Sequence, residues 1–245
     1  ATGASAKRFC RPNYRHSARR ASGVISGHAT LYSISIRIDC FVFFDIRVPH
    51  PVFLLTDPCL RPGVLSPDEC MRLIGVFDAS AATTAGRLSG GTVTDTRICD
   101  TLWLDDTNET AWLFVRLAGL VAEVNRENFH FDLEEFRESA QILRYAAPVV
   151  SPIGISAAGR YDRPVDIGAG GHSATRKLSL SIQLSPPGDY TGGGLLIGDD
   201  TEIWSAPREP GTAILFPSFV RHSVAPLASG TRYALVAWVH GPAFR

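Results

Sequence analysis

Apolar and polar residues alternate with a period of two along residues 177–185. Leu178, Leu180, Ile182 and Leu184 interleave with Ser179, Ser181, Gln183 and Ser185. Successive side chains of a strand point to opposite faces, so this stretch predicts a strand with one apolar and one polar face. Turn chemistry follows at Pro186-Pro187-Gly188-Asp189 and again at Gly192-Gly193-Gly194. Further strands are predicted over Gln141–Tyr145, Arg160–Ile167, Gly211–Phe216 and Thr231–Val239. Nearer the start, Ile34, Ile36 and Ile38 alternate with Ser35 and Arg37, a strand-like run that does not reveal its place in a fold.

Two segments carry helical spacing instead. Ser66-Pro67-Asp68-Glu69 reads as a capping box: the Ser66 hydroxyl caps the helix, Pro67 suits its first turn, and Glu69 reaches back. Met71, Leu73, Ile74 and Phe77 then form an apolar stripe. A second helix is predicted over 108–125, where Leu113, Leu117, Leu120, Val121 and Val124 recur on one face. Both helices are expected to be scaffold packed on a sheet. Short strands with Gly/Pro turns, and helices gathered on the N-terminal side, predict a mainly β (α+β) fold. Its expected core is a double-stranded β-helix, or jelly roll, with flanking N-terminal helices.

Composition narrows the function classes. The 245 residues carry 24 Lys and Arg against 24 Asp and Glu. A balance of zero gives no electrostatic reason to expect nucleic acid or an anionic membrane as partner. No apolar run reaches the length of a membrane helix without charges. Cys10, Cys40, Cys59, Cys70 and Cys99 are odd in number and contain no CxxC pair. That pattern disfavours a disulfide framework or zinc knuckle and points to a reducing, cytoplasmic setting. Residues 1–22 hold Lys7, Arg8, Arg11, Arg15, Arg19 and Arg20, with no acid before Asp39. Residues 1–50 are therefore read as a basic extension, disordered or non-native, and residues 51–245 as the folded domain.

The candidate chemistry lies between Tyr145 and Trp238. His222 closes a predicted strand end, and Arg232 follows ten residues later, just past Ser229-Gly230. If the chain folds back there, both side chains reach one cavity. A buried guanidinium needs a partner, and a carboxylate meets its planar fork on two bonds. An ordinary salt bridge is the competing reading. On a strand, positions 164 and 166 share a face, so an inward Asp166 with a distant inward His222 supplies two members of a facial 2-His-1-carboxylate set for non-haem iron.

From Gly63 to the C-terminus the chain resembles bacterial 2-oxoglutarate/Fe(II)-dependent oxygenases related to prolyl 4-hydroxylase, the PKHD-type hydroxylases. The segments that carry the resemblance are Val64-Leu65-Ser66-Pro67-Asp68-Glu69-Cys70, the run from Arg176 to Ser185, and the stretch from Pro210-Gly211-Thr212 through Trp238. The resemblance implies a jelly-roll core, Fe(II), 2-oxoglutarate and ascorbate-sensitive turnover. By position it implies Asp166 as the carboxylate iron ligand and His222 as the distal histidine ligand. It further implies Arg232 as the arginine that grips the far carboxylate of 2-oxoglutarate, with Tyr145 on a strand near that cosubstrate. The substrate expected is a small molecule or a protein side chain.

Three departures accompany the match. The family pattern is Tyr-x-x-His-x-Asp, whereas this chain has Pro164 where the first histidine belongs. Proline brings no metal donor and removes a backbone N–H. The run Pro148-Val149-Val150-Ser151-Pro152-Ile153-Gly154-Ile155 is unlike the family's short Gly-rich link, and Gly194 stands where relatives commonly carry Glu. His172, in a Gly-rich loop six residues beyond Asp166, is a candidate substitute ligand, and its competing reading is a solvent-facing loop histidine. Two functional readings stay open at this point: an oxygenase, and a jelly-roll binding module that keeps the carboxylate pocket without competent iron.

Overall fold

The computed structural model describes residues 31–36, 44–49, 55–85, 96–151, 154–162, 165–199 and 201–244. The chain divides into two units, residues 1–52 and 53–245. Within the first, β1 (Leu31–Ile36) pairs antiparallel with β2 (Phe44–Pro49), with Ile34 opposite Ile46. The basic residues 7–20 lie outside the described residues.

The second unit opens with β3 (Cys59–Arg61) and helix α1 (Pro67–Ala79). The capping box forms as its residue types require. The Glu69 N–H donates to Ser66 Oγ at 3.2 Å and the Ser66 N–H donates to the Glu69 carboxylate at 2.8 Å. Next come β4 (Thr84–Ala85), β5 (Arg97–Ile98), β6 (Asp100–Leu104) and helix α2 (Ala111–Val124). The second helix thus starts three residues later than its apolar spacing suggests. Thr107 and Thr110 form a local turn first, in which the Thr107 N–H donates to Thr110 Oγ1 at 2.8 Å. Past Val124 the helix widens into one π-turn over Asn125–Phe129 and stops at His130, which adopts the left-handed conformation at φ 56°.

The remaining strands are β7 (Ala140–Ala146), β8 (Val150–Ser151), β9 (Gly154–Ile155) and β10 (Arg160–Tyr161). They continue with β11 (Arg176–Gln183), β12 (Tyr190–Gly192), β13 (Leu195–Gly198) and β14 (Ile203–Ser205). Last come β15 (Ala213–Pro217), β16 (His222–Val224) and β17 (Leu227–His240). The larger sheet runs β3-β15-β11-β17-β7-β6-β4, with β12 paired to β17. The smaller runs β14-β13-β16-β10-β5, and β8 and β9 pair with each other. The pairs between these strands are antiparallel. This is the expected jelly roll.

The period of two sorts the large sheet into two cores. Ile142, Leu178, Leu180, Ile182, Leu235 and Ala237 join Leu73, Phe77, Leu113 and Leu117 of the helices. The alternate residues Leu143, Tyr145 and Phe216 join Tyr161, Leu195 and Val224 of the small sheet. Both helices therefore pack on one face of the large sheet, α1 through Cys70, Leu73, Ile74 and Phe77 while Met71 of the expected stripe is exposed, and the other face is left for the space between the sheets. On β11 both faces are buried: Ser179, Ser181 and Gln183 turn inward, toward that second space, rather than to water.

Two strand expectations need correcting. The strand predicted over Arg160–Ile167 ends at Tyr161, and Asp166 sits in a bend. Its position comes instead from a carbonyl clamp, in which the Asp166 and Ile167 N–H groups both donate to the Ser218 carbonyl at 2.9 and 3.0 Å. The chain also does not fold back at Ser229-Gly230. Gly230, at φ +74°, lies within the continuous β17 and pairs with Tyr190, and a Cβ there would fall 1.9 Å from the Asp189 carbonyl oxygen. A glycine is required at that crossing by backbone contact, not by a reversal.

Candidate active site

One cavity opens between the two sheets. Its wall includes Tyr145, Tyr161, Asp166, Ser179, His222, Arg232 and Trp238. Alternation explains the membership: Tyr145 lies opposite Arg232 across β7 and β17, and Ser179 lies opposite Trp238 across β11 and β17. Each inward residue is thus presented by a strand whose outward neighbours are anchored under the helices. The small sheet supplies His222 from β16 and Tyr161 from β10.

Asp166 and His222 converge. His222 Nε2 lies 3.4 Å from Asp166 Oδ2, with both side chains almost fully buried. His222 Nδ1 donates to the Val220 carbonyl at 3.2 Å, which leaves Nε2 as the nitrogen facing the carboxylate. A lone pair and a carboxylate oxygen that close hold together when they share a cation, either a proton or a metal. The carboxylate itself is fixed from several sides. Ser179 Oγ donates to Oδ2 at 2.7 Å and the Tyr161 hydroxyl donates to Oδ1 at 3.3 Å. Burial alone would raise the Asp166 pKa, but His222, the Trp238 and Ser179 donors, and Arg176 outweigh it and hold the group below its ordinary value.

Behind this pair lies a second charged layer. Arg176 forms a two-pronged ion pair with Glu138, donates to the Asp166 backbone carbonyl at 3.2 Å, and stacks 3.9 Å over the Trp238 ring. Burial would raise the Glu138 pKa, yet the adjoining His240 and Arg176 bring it to about 2. His240 is fully buried and its Nδ1 lies 2.9 Å from the Thr175 hydroxyl. Its Nε2 stands 3.2 Å from Glu138 without hydrogen-bond alignment.

Arg232 is buried and donates from Nε to Gln183 Oε1 at 3.0 Å, with its guanidinium 5.5 Å from the Tyr145 ring centre. Gln183 is held in turn by donating to the Ser185 carbonyl and the Tyr190 hydroxyl. Burial raises the Tyr145 phenol above its ordinary value, so it stays protonated. Among the described residues Arg232 makes no ion pair, the condition in which a small carboxylate becomes its natural partner.

The donor chemistry fits a divalent cation at Asp166 and His222, one hard carboxylate and one imidazole nitrogen aimed at a common point. Those two residues would hold it. Among the described residues no third His, Cys, Asp or Glu completes a cluster. His172 is exposed in the short turn Gly171–Thr175 and is absent from the cavity wall. Pro164 lies outside the described residues. Reading the sequence missed Arg97, Trp238 in the cavity wall beside Asp166, and the Glu138–Arg176 layer. Arg97 sits outside the cluster of motifs, on a two-residue strand with no periodicity to announce it. Trp238 did fall on a predicted strand, where parity offered a signal, whereas Arg176 lies one residue before the strand predicted over 177–185 and opens the observed β11.

Residues 141–240 match the family model of the 2OG-Fe(II) oxygenase superfamily. A PKHD-type hydroxylase of Hyphomonas neptunium is 34% identical over 136 residues, covering 54% of this chain and 59% of that protein. One from Synechococcus sp. strain CC9605 is 42% identical over 67 residues, covering 26% of this chain and 29% of that protein. The matched stretches thus span less than two thirds of these relatives. Among solved structures, the chain is similar to a prolyl hydroxylase of Trichoplax adhaerens, with TM-score 0.61 and 16% identity over 75% of this chain and 83% of that one. It is also similar to a Pseudomonas putida prolyl-4-hydroxylase, with TM-score 0.56 and 18% identity over 76% and 94% of the two chains. At such identities these two likenesses speak for the fold.

Proposed function

We propose that this chain is an Fe(II)- and 2-oxoglutarate-dependent hydroxylase of the 2OG-Fe(II) oxygenase superfamily, whose family model matches residues 141–240. The observation that carries the reading is the meeting of Asp166, His222 and Arg232 in one cavity. In this reading Asp166 and His222 hold the iron, and Arg232 receives the far carboxylate of 2-oxoglutarate. Bound there, Fe(II) supplies activation of O₂ coupled to decarboxylation of the cosubstrate to succinate and CO₂. The chain's own residues do the positioning. Ser179 and Tyr161 fix the carboxylate that binds metal, Trp238 helps keep it ionised, and the Val220 carbonyl fixes the imidazole tautomer. Leu143, Phe216, Val224 and Val236 line the same cavity with apolar surface that excludes water.

The substrate proposed is a small molecule or a protein side chain, with ascorbate as an expected reductant of idle turnover. Cys59, Cys70 and Cys99 are free and buried, which supports a reducing cytoplasmic compartment. No helix among the described residues is long and apolar enough to cross a membrane.

The test is an anaerobic titration with Fe(II) and 2-oxoglutarate, followed by the charge-transfer band of the ternary complex. A band saturating near one iron per chain supports the hydroxylase. Binding of 2-oxoglutarate without the band replaces it with the binding-module reading. The variant Pro164→His adds a nitrogen donor where the family carries one and is expected to tighten Fe(II) binding by about tenfold or more.

A further inference from the structure

A second arginine faces the same cavity. Arg97, on β5 opposite Tyr161 of β10, is among the residues of its wall. The side chain is well fixed. Its Nη2 donates to Gln141 Oε1 at 2.8 Å, its Nε donates to Cys99 Sγ at 3.3 Å, and its guanidinium lies 5.5 Å from the Tyr161 ring centre. All these partners are neutral. Among the described residues no carboxylate pairs with Arg97, whereas the buried Arg176 has Glu138.

Charge counting gives this a direction. The cavity wall carries Arg97 and Arg232 against Asp166. If Fe(II) and 2-oxoglutarate occupy it, their charges cancel, Asp166 offsets one arginine, and one positive charge is left over. Arg97 is half-buried, so a cation there without a counter-ion is incompletely solvated, and an anion that supplies the missing charge binds there with gain. Tyr161 ties the position to the chemistry, since its hydroxyl donates to Asp166 and its ring lies beneath Arg97.

We propose that Arg97 is a substrate-recognition residue that selects a substrate bearing a carboxylate close to the C–H bond to be hydroxylated. The inference rests on the hydroxylase reading and deepens it by naming a substrate class. Arg232 takes the cosubstrate's carboxylate and Arg97 takes the substrate's. Gln141 and Cys99 fix the Arg97 guanidinium through Nη2 and Nε, which leaves Nη1 for the substrate's carboxylate.

The full chain, saturated anaerobically with Fe(II) and 2-oxoglutarate, is titrated with propionate and with propionamide, each followed by NMR line broadening. Propionate is expected to bind at least about tenfold more tightly than its amide, and Arg97→Gln to remove that preference while the 2-oxoglutarate affinity stays unchanged. Arg97→Lys, which keeps the charge but not the fork, is expected to fall between and serves if the glutamine variant melts without cooperativity. An amide-capped Gly-Glu-Gly peptide, set against propionate, separates a side-chain carboxylate from a free acid. Equal binding of propionate and propionamide, or a propionate preference lost in Arg232→Gln but kept in Arg97→Gln, overturns the assignment. Failure of wild type to bind 2-oxoglutarate strikes the hydroxylase reading instead. The propionate comparison between wild type and Arg97→Gln is still read, without cosubstrate or iron.

Discussion

Arg232→Met separates the fold from the proposed cosubstrate site. Arg232 is 3% exposed and its guanidinium makes one hydrogen bond among the described residues, to Gln183 Oε1 at 3.0 Å. Methionine fills a similar volume without charge. Losing the Gln183 bond costs about 1 kcal/mol, and Gln183 keeps its two donated bonds to Ser185 and Tyr190. Removing a buried charge that lacks an ionic partner offsets much of that cost. The ligand-free variant is thus expected to lie within about 1 kcal/mol of wild type. Ligand binding responds differently, because a carboxylate brought into that pocket without its arginine costs about 3–5 kcal/mol. In wild type, 2-oxoglutarate at about 100 times its Kd adds about 2.7 kcal/mol of stability. For a domain of this size that corresponds to a rise in Tm of about 5–10 °C. The assay is thermal unfolding with Mn(II), with and without 2-oxoglutarate. The expected result is an unchanged ligand-free Tm and loss of the ligand-induced rise in the variant. A variant that keeps the full rise refutes the role of Arg232, and a ligand-free loss well beyond 1 kcal/mol refutes the argument about its unpaired charge.

Further expectations concern the supports of the site. Trp238→Phe keeps the ring under Arg176 but removes the polar indole that helps hold the Asp166 carboxyl below its ordinary pKa, so Fe(II) affinity should fall about tenfold with little change in stability, read by metal titration and melting. Glu138 has a folded-state pKa of about 2, below its unfolded value. Its contribution, about 2 kcal/mol after screening, is present above about pH 4.5 and is lost as pH falls toward 2. Urea unfolding at pH 7, 4 and 2.5 should therefore show Glu138→Gln destabilised most at pH 7 and converging on wild type in acid. Gly230→Ala forces a Cβ to within 1.9 Å of the Asp189 carbonyl oxygen at φ +74°, and should lower stability by about 2–4 kcal/mol in the same assay.

The sequence by itself determined the elements and their faces. Ser66 and Glu69 announced α1 because a capping box needs contacts only three residues apart. The alternation from Leu178 to Gln183 also fixed which side chains lie under the helices and which line the cavity, since a strand's period of two is a local property. Tyr145 and Arg232 were expected in one pocket only by the family resemblance, and it is the β7–β17 register that sets them opposite each other. Tertiary structure decided the rest. Asp166 is aimed by the Ser218 carbonyl, more than fifty residues downstream, not by the strand expected of it. His222 meets Asp166 where the two sheets face each other, and His172 is exposed in the short turn Gly171–Thr175 and absent from the cavity wall. Arg97 enters the cavity from a two-residue strand whose register against Tyr161 exists only once β10 is in place. Local patterns are written in neighbouring residues, whereas a buried charge finds its partners across the fold, where no spacing along the chain records them.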